Sequence, residues 1–183
     1  MTKLYLVRHG KAEAGFGGAM DPGLDDLGRK QADAVANDLA PLGPLPILSS
    51  PLARTRQTAA PLAKLWNLDP VIEKAVAEIP SPDLSLDERV VWLRGLMGGS
   101  WNDASPELMA WRRGCIAALT AIDHDTVIFS HYVAINVAMG AATGNDNVVC
   151  FSPDNCSVTV LETDGETLSL IEKGREAQLT KVN

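Results

Sequence analysis

The chain has 183 residues, 46% of them hydrophobic, and a formal net charge of −7. That length suits one ordinary domain with a substantial core, and the apolar content argues against disorder. The acidic balance speaks against a nucleic-acid or anionic-membrane binder, since both want a basic face, but it leaves room for a small cationic pocket.

The chain opens on MTKLYLVRHG, where an apolar β-favouring run predicts a strand over residues 3–8 that ends on Arg8, His9 and Gly10. A glycine-rich loop follows over residues 15–23. Asp25 or Asp26 then reads as the cap of a helix reaching residue 42, with Ala32, Val35, Ala36 and Leu39 on one face. "PLPILSS" predicts a second buried strand. "PLARTRQTAAPLAKLW" predicts a helix starting just after Ser50, with Pro51 in its first turn. A short strand falls at Val71 and Ile72. Residues 75–105 are irregular at both ends, carry a helix over 86–97, and read as a pocket-covering segment. A helix over 106–122, the strand "DTVIFSH", a helix over 133–142 and a hairpin turning at Asp164-Gly165 complete the chain. Strands alternating with helices predict an α/β fold over residues 1–183 as a single domain, with a mostly parallel sheet and helices on both faces.

Several chemistries lack their residues. No apolar run reaches membrane length, and the first strand begins too early for a signal peptide, so a cytoplasmic protein is expected. Cys115, Cys150 and Cys156 form no even disulfide framework and read as free thiols; none is followed six residues later by an arginine. His9, His124 and His131 are scattered without metal-ligand spacing, so no metal is expected. There is no GxSxG elbow, no GxxxxGK loop, and no GxGxxG among the glycines at 15, 17 and 18, so no cofactor is expected either.

What remains is a pattern at three strand ends. The first ends in Arg8-His9-Gly10. The second ends in Ser49-Ser50, with Arg54 and Arg56 in the next helix. "DTVIFSH" ends in Ser130-His131, again just before a helix. In a parallel sheet these carboxyl ends share one edge, so Arg8, His9, His131 and an arginine of the second helix converge. Helix N-termini beside them add backbone N–H groups. Guanidinium forks and imidazoles make an anion pocket, for which phosphate is the natural occupant.

"LVRHG", "SSPLARTRQTA", "FSH" and "LDDLGRKQADAVANDL" together resemble the histidine phosphatase superfamily, also called phosphoglycerate mutase-like. "RHGKA" is similar to its short phosphatase branch, which includes phosphohistidine phosphatases. The resemblance implies a three-layer α/β/α sandwich. It also implies that His9 is phosphorylated and that Arg8, Arg54 and His131 bind the phosphate; the family pattern selects Arg54 over Arg56. Two positions depart from the common pattern: Ala12 and Gly15 stand where many members carry Thr and Asn. The late SHGG is Ser130-His131-Tyr132-Val133 here.

A leaving alkoxide needs a proton, and the family keeps its acid on a loop after the third strand. That maps to Glu78, with Glu13 and Asp21 as the runners-up. His124, between Asp123 and Asp125, reads as an exposed turn residue. Trp92, Trp101 and Trp111, with Arg89, Arg94, Arg112 and Arg113, read as core rings and solvated charges, some of them roofing the pocket. The expectation is a metal-independent phosphoric monoester hydrolase acting through phospho-His9 on a small phosphorylated metabolite or a phosphoprotein. The alternatives are a phosphohistidine protein phosphatase, a phosphoglycerate-type mutase and a noncatalytic phosphate-binding module. Oligomeric state is not assigned.

Overall fold

The computed structural model describes residues 1–13 and 21–178. Six strands, β1 (Thr2–Arg8), β2 (Ile47–Ser49), β3 (Val71–Ile72), β4 (Thr126–Ser130), β5 (Val158–Thr163) and β6 (Leu168–Glu172), form one sheet in the order β3-β2-β4-β1-β5-β6. β3, β2, β4 and β1 pair in parallel, and β5 and β6 add antiparallel pairs. The helices are α1 (Asp26–Leu39), α2 (Ala53–Trp66), α3 (Leu86–Met97), α4 (Pro106–Thr120) and α5 (Tyr132–Thr143).

The alternation of side chains along each strand builds two cores. Leu4, Leu6, Ile128 and Leu161 pack on one face with Cys115 and Leu119 of α4 and Val133 and Val137 of α5. Val7, Ile47, Val127 and Phe129 pack on the other with Val35 and Leu39 of α1 and Leu62 and Trp66 of α2. Helices therefore cover both faces, the expected three-layer α/β/α sandwich. Two buried faces also explain why β4 is apolar nearly throughout rather than alternating.

Local chemistry moves several element ends. Asp25, not Asp26, caps α1, its Oδ1 accepting the Gly28 N–H at 2.7 Å. The helix stops at Leu39 instead of running to residue 42. Pro41 has no N–H to continue it, and residues 40–42 tighten into a 3-10 turn. Pro51 lies ahead of α2, not in its first turn, because the Ser50 hydroxyl accepts the Leu52 N–H at 3.2 Å and delays the helix to Ala53. The glycine-rich loop of residues 15–23 falls outside the described residues as far as residue 20. Among the described residues no helix is long and apolar enough to cross a membrane.

Strand register gathers the polar ends. Arg8 stands beside Ser130, and Ser49 beside Phe129, so β1, β2 and β4 end level with one another. The polar residues after them are brought to one edge.

Candidate active site

His9 follows β1 directly, and its backbone is pinned on every side. Its N–H donates to Ser130 O at 3.1 Å, and its carbonyl accepts from Asn155 Nδ2 at 3.0 Å. The next N–H, of Gly10, donates to Thr58 Oγ1 at 3.0 Å. Gly10 must be glycine for a steric reason: a Cβ there would stand 2.7 Å from Gly28 O, so the loop could not lie against the start of α1. The ring is fixed as well. Nδ1 lies 2.7 Å from Gly10 O, and a carbonyl only accepts, so Nδ1 carries the proton and Nε2 keeps a bare lone pair. Arg54 Nε donates to that Nε2 at 3.3 Å.

Burial pushes the His9 pKa down to about 3, and the Arg8 and Arg54 charges push the same way. The imidazole is therefore neutral and nucleophilic at neutral pH. The unfolded chain protonates near pH 6.5, so stability is full above that value and is lost as pH falls from about 6.5 toward 3. Between pH 7 and 5 His9 alone is expected to cost about 2 kcal/mol. Urea unfolding of wild type and His9→Asn at both pH values measures it: the pH-dependent loss should shrink by that amount in the variant. Equal losses would contradict a buried neutral His9.

Arg8, at the end of β1, donates from Nη1 to Pro153 O at 2.9 Å, and its guanidinium stacks 5.1 Å from the centroid of the Tyr132 ring. Its buried Nε has no hydrogen-bond partner among the described residues. Arg54 sits in the first turn of α2, held there as its carbonyl accepts from Thr58 Oγ1 at 2.6 Å. His131 is the N-cap of α5, fully buried, with its ring centroid 5.3 Å from that of His9. Its Nε2 lies 2.7 Å from Ser50 Oγ. Burial and the charges of Arg54 and Arg8 hold its pKa well below the usual imidazole range.

Glu78 lies on the loop after β3, tied to the strand ends where Ser130 Oγ donates to Val76 O at 2.7 Å. Its Oε1 accepts from the N–H groups of Ile79, Val133 and Ala134 at 3.0, 3.1 and 3.2 Å. The carboxyl thus caps the N-terminus of α5, the helix that His131 begins. Burial raises its pKa, against those N–H groups and Arg54, which pull it down. A carboxyl with a raised pKa is suited to hand over a proton near neutrality.

The structure thus brings Arg8, His9, Arg54, His131 and Glu78 to the same sheet edge. The runners-up are more exposed, although the Asp21 charge bears on Arg54. Glu13 is exposed, and Asp21, also exposed, spends Oδ1 on the Ala53 N–H at 2.8 Å as a cap for α2. Arg56 is exposed and lines a separate cleft with Lys64 and Asn67 that includes none of the five. His124 is exposed, with its Nδ1 beside the Asp123 carboxylate. Trp101 is a core ring against Trp111, with Arg112 stacked 5.5 Å over it. Arg89 of α3 is near enough for its charge to bear on Arg54.

Ser50, Thr58 and Asn155 also belong to this site, although sequence patterns alone do not single them out. Thr58 follows Arg54 by four residues, one helical turn, and that spacing is a readable signal. Asn155 lies 146 residues from His9, and no local pattern marks it.

Among the described residues no group of three or more His, Cys, Asp or Glu is placed to hold a metal ion. A bare imidazole nitrogen, two guanidiniums, a neutral imidazole and a raised-pKa carboxyl are the equipment for attack on a tetrahedral oxyanion ester. Fold and site together define an α/β/α protein with two imidazoles, two guanidiniums and a carboxyl gathered at its parallel strand ends. Residues 4–86 match the model of the histidine phosphatase superfamily (branch 1). Phosphoserine phosphatase 1 of Hydrogenobacter thermophilus is 40% identical over 83 residues, covering 43% of this chain and 39% of that protein. The probable phosphoglycerate mutase GpmB of Escherichia coli is 34% identical over 118 residues, covering 58% and 55%. The chain therefore spans about half or less of the length of these curated relatives. The crystal structure of a phosphoserine phosphatase from Entamoeba histolytica, in complex with 3-phosphoglyceric acid, shares the fold with a TM-score of 0.77. It is 22% identical, covering 97% of this chain and 98% of that one. By sequence the chain is similar to the histidine phosphatase superfamily over residues 4–86, and along nearly its whole length it shares the fold of that phosphoserine phosphatase structure.

Proposed function

We propose that the chain is a phosphoric monoester hydrolase working through a phosphohistidine at His9, on a phosphorylated small molecule or a phosphoprotein. The observation that carries this is the His9 ring: its proton is held at Nδ1 by Gly10 O, and its bare Nε2 faces the Arg54 guanidinium. The named activities of the phosphoserine phosphatase relatives support the same reading.

The geometry supports the following steps. Arg8, Arg54 and His131 hold the phosphoryl oxygens, where the transition state spreads its charge. His9 Nε2 forms a bond to phosphorus as the ester oxygen leaves, and Glu78 gives that oxygen a proton. The carboxylate so formed takes a proton from water, which attacks phospho-His9 and releases phosphate. Two guanidiniums supply the positive charge that a metal would bring, and they repel a cation, so the reaction is metal-independent. Residues 75–105, which bring in Glu78 and Arg89, cover the pocket as part of the same single domain. The free cysteines accord with a cytoplasmic setting.

An acid-quench experiment tests the proposal. Protein mixed with ³²P-labelled monoesters should retain label as an acid-labile, base-stable phosphoramidate, and a panel of sugar phosphates, phosphoamino acids and phosphohistidine peptides ranks substrates. Absence of any labelled protein across the panel would remove the reading. Chelator is expected to leave turnover unchanged, while vanadate, which reaches a five-coordinate geometry, inhibits; strict dependence on added magnesium or manganese would contradict the metal-independent step. The GpmB relative's name adds a mutase reading, separated by whether label leaves as inorganic phosphate or reappears on an isomer of the substrate.

A further inference from the structure

Ser50, Thr55 and His131 are all fully buried and form a chain of hydrogen bonds behind the phosphate site. Ser50 Oγ is 2.7 Å from His131 Nε2 and 2.8 Å from Thr55 Oγ1, and it accepts the Leu52 N–H at 3.2 Å. The other ring nitrogen of His131, Nδ1, is buried and has no hydrogen-bond partner among the described residues. A buried polar atom left alone is costly, so an unpartnered nitrogen beside an anion pocket points to a ligand.

Counting protons along the chain leaves two arrangements. Thr55 has one hydroxyl proton, and the carbonyls of Leu52 at 2.9 Å and Ser50 at 3.2 Å can take it. With its proton on those carbonyls Thr55 Oγ1 is an acceptor toward Ser50; with its proton turned to Ser50 Oγ it is the donor of the 2.8 Å bond. The single Ser50 proton goes either to Thr55 Oγ1 or to His131 Nε2. In the first case Nε2 carries the imidazole proton and donates to Ser50, which leaves Nδ1 as a bare lone pair. In the second Ser50 donates to Nε2, Thr55 turns its own proton to Ser50 Oγ, and the imidazole proton sits on Nδ1. Both arrangements hold the same protons, so passing between them gains and loses none.

A phosphoryl oxygen is repelled by a bare lone pair and attracted by an N–H. We infer that Ser50 is a positioning residue of this site: with Thr55 it forms a tautomeric switch that turns His131 from an acceptor into an Nδ1–H donor when a phosphoryl group enters. His131 is held neutral by its surroundings, so the tautomer, not protonation, decides whether it can donate. The inference rests on the phosphatase reading above.

The test is ¹⁵N NMR of histidine-labelled protein, free and saturated with inorganic phosphate; the chain's three histidines are assigned by single replacement. Phosphate-bound His131 is expected as the Nδ1–H tautomer with Nε2 bare. Thr55→Val is expected to show Nδ1–H already in the free protein, because Ser50 has lost its other acceptor. That variant leaves no orphan at Leu52 O, which still accepts the Arg56 N–H at 3.1 Å. Ser50→Ala is expected to slow phospho-His9 formation about 10- to 100-fold, below the roughly 10²–10³ for deleting a transition-state donor outright. An Nε2–H tautomer in the phosphate complex, or in Thr55→Val, overturns the switch while labelled phospho-His9 still forms. Failure of phosphate to bind and of His9 to label overturns the phosphatase reading, and the switch with it.

Discussion

His9→Ala is expected to abolish turnover, with kcat falling on the order of 10⁶-fold, as deletion of a nucleophile does in enzymes of comparable logic. No neighbour can stand in. His131 is fully buried and engaged with Ser50 at Nε2; Glu78 spends its carboxyl on the N–H groups that begin α5; the guanidiniums of Arg8 and Arg54 are not nucleophiles. Binding should survive the loss of chemistry, because Arg8, Arg54 and His131 remain. Titration calorimetry with inorganic phosphate is therefore expected to give a Kd within about tenfold of wild type, since one neutral hydrogen bond is worth roughly 1 kcal/mol. Turnover near the wild-type rate would mean that the phosphoryl group travels by another route.

Glu78→Gln is expected to slow phosphoenzyme formation from an alkyl phosphate about 10²- to 10⁴-fold, the usual worth of a general acid. The same variant should barely change the burst with p-nitrophenyl phosphate, whose leaving group departs as a stable anion. The contrast between the two substrates is the signature, because misfolding would slow both. The replacement is structurally gentle. Oε1 is in reach of all three N–H groups, the Val133 N–H being shared with Oε2 at 3.2 Å, and an amide oxygen in the Oε1 place can keep them, so the cap on α5 persists. Later hydrolysis of phospho-His9 is expected to slow for both substrates, since the proposed mechanism has the same carboxyl activate water, so the rates must be read in the burst. Equal burst rates on the alkyl phosphate would assign Glu78 to capping α5 alone.

Much of this site lies in local sequence. A strand buried on both faces reads as a continuous apolar run, so "LYLV" followed by Arg8-His9, and "TVIF" followed by Ser130-His131, announce both the strand and its polar end. The helix faces are legible for the same reason: Ala32, Val35, Ala36 and Leu39 recur at the helical period, and all are buried. The ends of elements are less legible, because single contacts set them. The Ser50 hydroxyl on the Leu52 N–H delays α2 by two residues, and nothing in the spacing of apolar positions reports it.

The sequence by itself determined the layers of the fold and the chemical types at the strand ends, because burial and periodicity act through neighbouring residues. Tertiary structure decided which of those types meet. Arg54 and Arg56 are chemically identical and two residues apart, but at about 100° per residue they point to opposite sides of α2, and the packing of that helix against the sheet turns Arg54 toward His9. Glu78 sits in a loop without periodicity, and it becomes an acid candidate only because Ser130 ties that loop to β4 and α5 offers it N–H groups. Asn155 reaches the His9 carbonyl across 146 residues of chain, and Ser50 reaches His131 across 81. Such contacts depend on the register that sets Arg8 beside Ser130, a property of paired strands that neither strand carries alone.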